Sequence, residues 1–206
     1  MGLWGKSVAW GYDWMATRID RHGGADHRAR LVGDANGDVL EVGAGTGKNL
    51  PHYRAAGRVV ALEPDPDWRE RAEGRADRAN VPVEVVDGDG MALPFPDESF
   101  DTVVSGLVLC TIPDPRRALE EMRRVLRPGG KLRFYEHVRS EDSKLARWQD
   151  RVNRLWGWVA GGCRVNQDTV SMIPAAGFRI ETLDRFDLEA APRFSRPHVL
   201  GVAAPT

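Results

Sequence analysis

The chain lacks most of the features that classify a sequence at a glance. It has only two cysteines in 206 residues, Cys110 and Cys163. They lie far apart, outside any CxxC or Cys/His motif, so neither a disulfide framework nor a structural zinc site is indicated. A reducing cytoplasm is the compartment that fits. There is no excess of charge either: 29 Lys+Arg stand against 30 Asp+Glu, and the basic residues are scattered. Nothing in that balance asks for nucleic acid or an anionic membrane. Long hydrophobic runs are also missing. The stretch MGLWGKSVAWGYDWMATRID is broken by charge and glycine every few residues, unlike the apolar core of a signal peptide or a membrane span. The whole chain is therefore expected to be the mature protein. It contains no internal repeat and no low-complexity linker.

What is present suits one domain over residues 1–206, since 42% hydrophobic composition at this length supports one good core and falls short of two. Short β-branched runs at 39–42, 59–62, 83–86, 102–108, 132–135, 179–183 and 198–202 read as strands. Helical patterns lie between them. The clearest covers 115–126, where Ala118, Met122, Val125 and Leu126 share a face before Pro128-Gly129-Gly130 ends it. Alternation of this kind predicts an α/β sheet. The first strands are almost continuously apolar, as parallel strands covered by helices on both faces must be.

The segment DVLEVGAGTGKN at 38–49 looks like a nucleotide loop. It fails the triphosphate pattern, because Asn49 follows Gly47-Lys48 and Val42 stands where the first glycine belongs. It also misses the dinucleotide fingerprint: Gly43, Gly45 and Gly47 alternate, so the third glycine comes one residue early. That spacing disfavours an NAD-dependent oxidoreductase. The second strand then ends in Glu63-Pro64-Asp65, placing a carboxylate where both hydroxyls of a ribose can be accepted.

Further along come Asp87-Gly88-Asp89-Gly90-Met91-Ala92-Leu93-Pro94-Phe95, then Ser99-Phe100-Asp101-Thr102-Val103-Val104, then Arg123-Arg124-Val125-Leu126-Arg127-Pro128-Gly129-Gly130. In this order and spacing, over about 38–132, the phrases resemble the class I S-adenosylmethionine-dependent methyltransferases. The resemblance implies a Rossmann-like fold of seven strands, mostly parallel, with helices on both faces and an antiparallel last strand. It implies S-adenosylmethionine in the loop of Gly43, Gly45 and Gly47, with its ribose on Glu63 beside Pro64. The adenine edge falls to Asp89, Gly90 and Met91, the methionine moiety to Ser105 and Leu107, and its amino group to Glu41.

The acceptor is chosen outside those phrases. Residues 1–30 form an expected helical lid over a cofactor core at 38–135, with Trp10 and Tyr12 as lid residues against the substrate. His137, leaving the fifth strand, is a candidate general base. In the insert at 141–177, Leu145, Trp148, Val152, Leu155 and Val159 recur at helical spacing, so their face is expected to roof a pocket or join the core. Final strands occupy 178–206. The phrases EHVRS, RWQD, GGCRVNQDT, AAGF and RPHVLGVA resemble the group containing the mammalian microsomal alkyl-thiol methyltransferases. That resemblance makes Cys163 a candidate catalytic residue. Arg164 and Asn166 are candidate donors at the pocket rim. The chain departs from the mammalian proteins in having no membrane-anchoring N-terminal segment, so a microsomal location is not expected.

The expected activity is methyl transfer to a small, fairly apolar acceptor, preferably a thiol. Aligning nucleophile and sulfonium can supply roughly 7–11 kcal/mol of the barrier, and no metal is required. Alternatives are an O-, N- or C-acceptor such as a secondary metabolite or quinone precursor, and a non-catalytic S-adenosylmethionine-binding partner. Arsenite is disfavoured, because two dispersed cysteines offer a soft metalloid no thiolate cluster.

Overall fold

The computed structural model describes residues 11, 13, 14, 16–160 and 162–206. Seven strands form one sheet: β1 (Gly37–Val42), β2 (Ala56–Leu62), β3 (Val83–Val86), β4 (Phe100–Gly106), β5 (Leu126–His137), β6 (Phe178–Asp187) and β7 (Pro197–Pro205). Their spatial order is β3-β2-β1-β4-β5-β7-β6. Neighbouring pairs from β3 through β5 are parallel, and β7 runs antiparallel to both β5 and β6.

Both faces of the sheet are covered, which explains the unbroken apolar runs. Along β1 the side chains alternate: Leu40 and Val42 belong to the cluster with Phe100, Leu119, Met122 and Phe134, while Val39 belongs to the opposite one with Leu31, Leu50 and Tyr53. The helices are α1 (Ala25–Val32), α2 (Pro66–Ala76), α3 (Pro115–Val125), α4 (Ser143–Val159) and α5 (Thr169–Ala175). Two start alike for local reasons. Asp65 accepts the Asp67 and Trp68 N–H groups ahead of α2, Asp114 accepts that of Arg117 ahead of α3, and a proline follows each cap. Helix α3 then buries Ala118, Leu119, Met122 and Val125.

Two elements differ from expectation. Strand β5 begins at Leu126, taking in Pro128-Gly129-Gly130, because Leu126 pairs with Phe100 across a register irregularity. Helix α4 is turned on its axis. Trp148 is 40% exposed and Leu155 69%, whereas Ala146 and Gln149 are buried and Asn153 and Trp156 half-buried. The apolar stripe is thus only partly covered: Leu145 and Val152 are half-buried, whereas Trp148 and Leu155 face outward. Hydrogen bonding decides the rotation: the Gln149 amide donates to the carbonyls of Val138, Val165 and Phe194 and accepts from Ser140 N–H, and Asn153 Oδ1 accepts from Val165 N–H. Turning those amides outward would strand several buried backbone groups, a larger cost than exposing one leucine.

Candidate active site

Between β1 and β4 the order of connections reverses, which opens a crevice at the carboxyl ends of the strands. The glycine loop lies there. Gly43, Gly45 and Gly47 all have positive φ, at +65°, +60° and +78°. At Gly47 a Cβ would stand 2.9 Å from the Cα of Ala72, so α2 packs on bare backbone. Glu63 closes the loop from the end of β2. Its Oε2 accepts Gly45 N–H at 2.8 Å and its Oε1 accepts Asp65 N–H at 3.0 Å. Burial pushes this carboxyl above its ordinary range. Each oxygen keeps lone-pair capacity for a second donor. The two acids of EPDP thus divide the work, Asp65 capping α2 and Glu63 facing the loop, with Pro64 exposed between them.

The second edge is the turn at 89–91. Asp89 is exposed; its Oδ1 accepts Met91 N–H at 2.8 Å and its carbonyl accepts Ala92 N–H at 3.0 Å. Gly90 is buried, and a Cβ there would meet Val42 at 2.8 Å, so this turn lies across the end of β1. Helix α3 holds the following segment: Glu121 accepts Leu93 N–H, and Arg124 donates to the carbonyls of Leu93 and Phe95.

The third edge follows β4. Glu136, fully buried at the end of β5, gathers three donors on Oε1: Ser105 Oγ at 2.9 Å and the N–H groups of Val108 and Leu109 at 3.0 Å each. Its Oε2 is buried with no partner among the described residues, and burial pushes its pKa up. The turn after β4 is therefore wound around a carboxylate, with Leu107 at φ +63° and its N–H on the Tyr135 carbonyl. With its hydroxyl proton donated to Glu136, Ser105 has its main chain and the acceptor capacity of Oγ left for a ligand. Glu41 is also turned inward. Its oxygens accept Asn49 Nδ2 at 2.8 Å and Tyr53 Oη at 2.9 Å, and burial raises its pKa to about 6.

Trp10 and Tyr12 lie outside the described residues. Of the same segment, Asp13 docks on the glycine loop: Oδ1 accepts Thr46 Oγ1 at 2.6 Å, and Oδ2 accepts Arg71 at 2.9 Å and Arg75 at 3.1 Å. Arg75 also donates to the Thr46 carbonyl, and Lys48 to Thr17 Oγ1 at 2.6 Å. Burial of Asp13 works against its charge, but the bonds from Thr46 and Arg75 outweigh it and hold the carboxyl below its usual range. Sequence reasoning missed this clamp, whose partners are 33, 58 and 62 residues away from Asp13. No local pattern marks them.

On the acceptor side, His137 ends β5 almost fully buried, with Nε2 2.8 Å from Cys163 Sγ. Trp156 Nε1 donates to the same sulfur at 3.4 Å. The expectation of dispersed cysteines does not hold: one donor atom each from Cys110, His137 and Cys163 lies within 4.8 Å of the others. Topology accounts for it, because β4 and β5 are neighbours and the loop after α4 returns over their ends. Arg164 is the buckle. Its N–H donates to the Cys110 carbonyl at 2.8 Å, and its guanidinium donates to the carbonyls of Ile112 and Pro113. Asn166 points elsewhere, donating to exposed Asp150 at 3.0 Å, which also binds Arg139. Cys110 beside it and burial together push the Cys163 thiol well up. Nε2 and Sγ share one hydrogen bond, and the other ring nitrogen, Nδ1, is buried without a partner among the described residues.

A glycine cradle at the switch point, a carboxylate able to take a vicinal diol and a turn offering backbone donors define a Rossmann-like site for an adenosyl ligand. An adenosyl sulfonium fits: Glu63 suits its ribose, and the close-packed loop needs no anion to neutralise it. The methyltransferase-domain family matches residues 40–134. The chain is 35% identical over 170 residues to the thiol S-methyltransferase TMT1B of Homo sapiens, covering 80% of this chain and 69% of that protein. It is 35% identical over 135 residues to a phosphatidylethanolamine N-methyltransferase of Cereibacter sphaeroides, covering 63% and 66%. In structure it resembles an S-adenosylmethionine-dependent methyltransferase of Thermotoga maritima, described as a possible histamine N-methyltransferase, at a TM-score of 0.72 and 20% identity over 98% and 97% of the two chains.

The chain belongs to the S-adenosylmethionine-dependent methyltransferases, in the group that holds the mammalian thiol S-methyltransferases. It is an enzyme, and S-adenosylmethionine is its methyl donor. Among the described residues no helix is long and apolar enough to cross a membrane.

Proposed function

We propose that this methyltransferase acts on a small, fairly apolar thiol in the cytoplasm. The observation that carries the proposal is the imidazole of His137 facing a sulfur at 2.8 Å on the acceptor side of the sheet. The Cys163 sulfur at that distance supports the reading, because it has the size and hydrogen-bonding capacity of a thiol acceptor. The likeness to the human thiol S-methyltransferase supports it, because 170 matched residues reach well beyond the 95 of the core match at 40–134 and so take in acceptor-side segments.

In this reading Gly43, Gly45 and Gly47 carry the cofactor at van der Waals distance, Glu63 and Pro64 line its ribose, and Asp89, Gly90 and Met91 line its adenine. The main chain of Ser105 and Leu107 flanks the methionine end, and Glu41 braces that end through Asn49. When bound, S-adenosylmethionine supplies an electrophilic methyl group on a sulfonium that leaves without acid assistance. What remains for the chain is to align a nucleophile and take its proton. His137 Nε2 takes it once Cys163 yields its place, and a thiol with an ordinary pKa near 8.5 gives it up readily. Trp10 and Tyr12, which lie outside the described residues, contact the acceptor in this reading. Arg164 and Asn166 serve the acceptor side indirectly, one holding Cys163 and the other the end of α4.

The test is incubation with S-adenosylmethionine and separate panels of small thiols, phenols and amines, following S-adenosylhomocysteine by mass spectrometry. Product with thiols is expected, falling at least tenfold in His137→Ala with cofactor affinity unchanged. Product with amines alone would replace this reading by N-methylation, which the 35% identity to the phosphatidylethanolamine enzyme favours as the second choice.

A further inference from the structure

We infer that Cys110, His137 and Cys163 form a binding site for a thiophilic divalent cation of the zinc type. The inference stands on this cluster alone and is independent of which acceptor is methylated.

Three elements supply one donor each: the turn after β4, the last residue of β5 and the loop after α4. Their donor atoms lie within 4.8 Å of one another. Zinc holds thiolate at roughly 2.3 Å and imidazole at roughly 2.0 Å, so a tetrahedral ion needs these donors roughly 3.5–3.8 Å apart. His137 and Cys163 are already closer than that, at 2.8 Å. An ion between them therefore calls for side-chain adjustments within one contact shell. The backbone is already committed, since Arg164 ties the Cys163 loop to the carbonyls of Cys110, Ile112 and Pro113.

Donor chemistry narrows the occupant. The cluster contains two sulfurs, one nitrogen and no oxygen, which excludes hard cations such as magnesium and calcium. A trivalent metalloid wants three thiolates, and the chain has only two cysteines. Two thiolates with one divalent ion are neutral overall, the one charge state that burial tolerates easily. On binding, two S–M bonds and one N–M bond replace bonds from the cation to water, and the two thiol protons leave to solvent. The Trp156 N–H at 3.4 Å from Cys163 Sγ remains as a donor to the bound thiolate, the kind of outer contact that orients metal ligands. Cys110 is almost fully buried and His137 nearly so, whereas Cys163 is half-buried. A fourth ligand thus enters from the Cys163 side. Filling the site withdraws Nε2 as a proton acceptor.

The probe is cobalt(II), titrated into reduced, metal-free full-length protein and followed by absorption. We expect one ion per chain, a sulfur-to-cobalt charge-transfer band with tetrahedral ligand-field bands, and displacement by zinc. In Cys163→Ser and Cys110→Ser, with folding checked by circular dichroism, the charge-transfer band should fall by at least half. Its absence in the wild type, or its persistence at full height in both folded variants, overturns the inference. A measurement without variants runs beside it: one equivalent of zinc should slow alkylation of Cys163 by N-ethylmaleimide at least tenfold, read by mass spectrometry. An unchanged alkylation rate, or a Cys110–Cys163 disulfide that forms readily while no cobalt binds, refutes the site.

Discussion

Glu41 gives the sharpest test of the energetics. It is 1% exposed on β1, and burial raises its pKa from 4.5 to about 6 despite hydrogen bonds from Asn49 and Tyr53. The folded state therefore holds its proton more tightly than the unfolded chain does. Its contribution to stability is complete below pH about 4.5 and is lost as the pH rises through about 6. A shift of about 1.5 units at about 1.36 kcal/mol each makes that loss roughly 2 kcal/mol by neutrality. Glu41→Gln removes the titration. Asn49 Nδ2 can still donate to the new carbonyl, while the Tyr53 hydroxyl must turn to accept from the amide, an offset that does not depend on pH. Glu63 and Glu136, also raised by burial, are common to both proteins and cancel in the difference. Urea unfolding of both proteins at several pH values between about 4.5 and 7.5 measures it, with a constant m-value as the control. The variant should gain about 2 kcal/mol on the wild type across that range. Parallel pH curves would refute the assignment of Glu41 as a buried carboxyl held against its charge.

Other consequences concern the loop and its supports. Gly47→Ala combines φ +78° with a Cβ 2.9 Å from the Ala72 backbone, so unfolding should cost about 2 kcal/mol or more less than in the wild type; an unchanged melting temperature would contradict that packing. Gly45→Ala directs its Cβ at the Trp68 ring at 3.4 Å, an ordinary contact, so it should lose only about 1–2 kcal/mol from backbone strain. Glu63→Ala removes a charged acceptor from the proposed ribose site, and calorimetry should find S-adenosylmethionine bound about ten- to a hundredfold more weakly, from roughly 1.5–3 kcal/mol of lost hydrogen bonding. Asp13→Ala releases Thr46, Arg71 and Arg75 together; it should weaken both stability and cofactor affinity, and an effect on neither would show that the N-terminal segment does not brace the loop.

Much of this protein was legible before any coordinates because its signals are local. Strand runs, the apolar face of 115–126, the alternating glycines and the acid ending β2 each act over a few residues, and backbone sterics and burial periodicity turn them directly into elements. The order of those elements then restricts an α/β chain to few topologies. Tertiary structure decided what depends on partners far along the chain. The stripe of Leu145, Trp148, Val152 and Leu155 reads as a face that roofs a pocket or joins the core, but Trp148 and Leu155 turn outward because the backbone groups of 138, 140, 165 and 194 are satisfied by Gln149 and Asn153. Ser105 and Glu41 read as ligand contacts, and only the folded chain shows their protein partners: the hydroxyl of one donates to Glu136, and the oxygens of the other accept from Asn49 and Tyr53. Cys110 and Cys163, 53 residues apart in sequence, meet at His137 only because β4 and β5 are neighbours and Arg164 fastens the returning loop. Periodicity reports which side chains are apolar; which buried polar groups must be satisfied, and by whom, is settled only when the whole sheet is assembled.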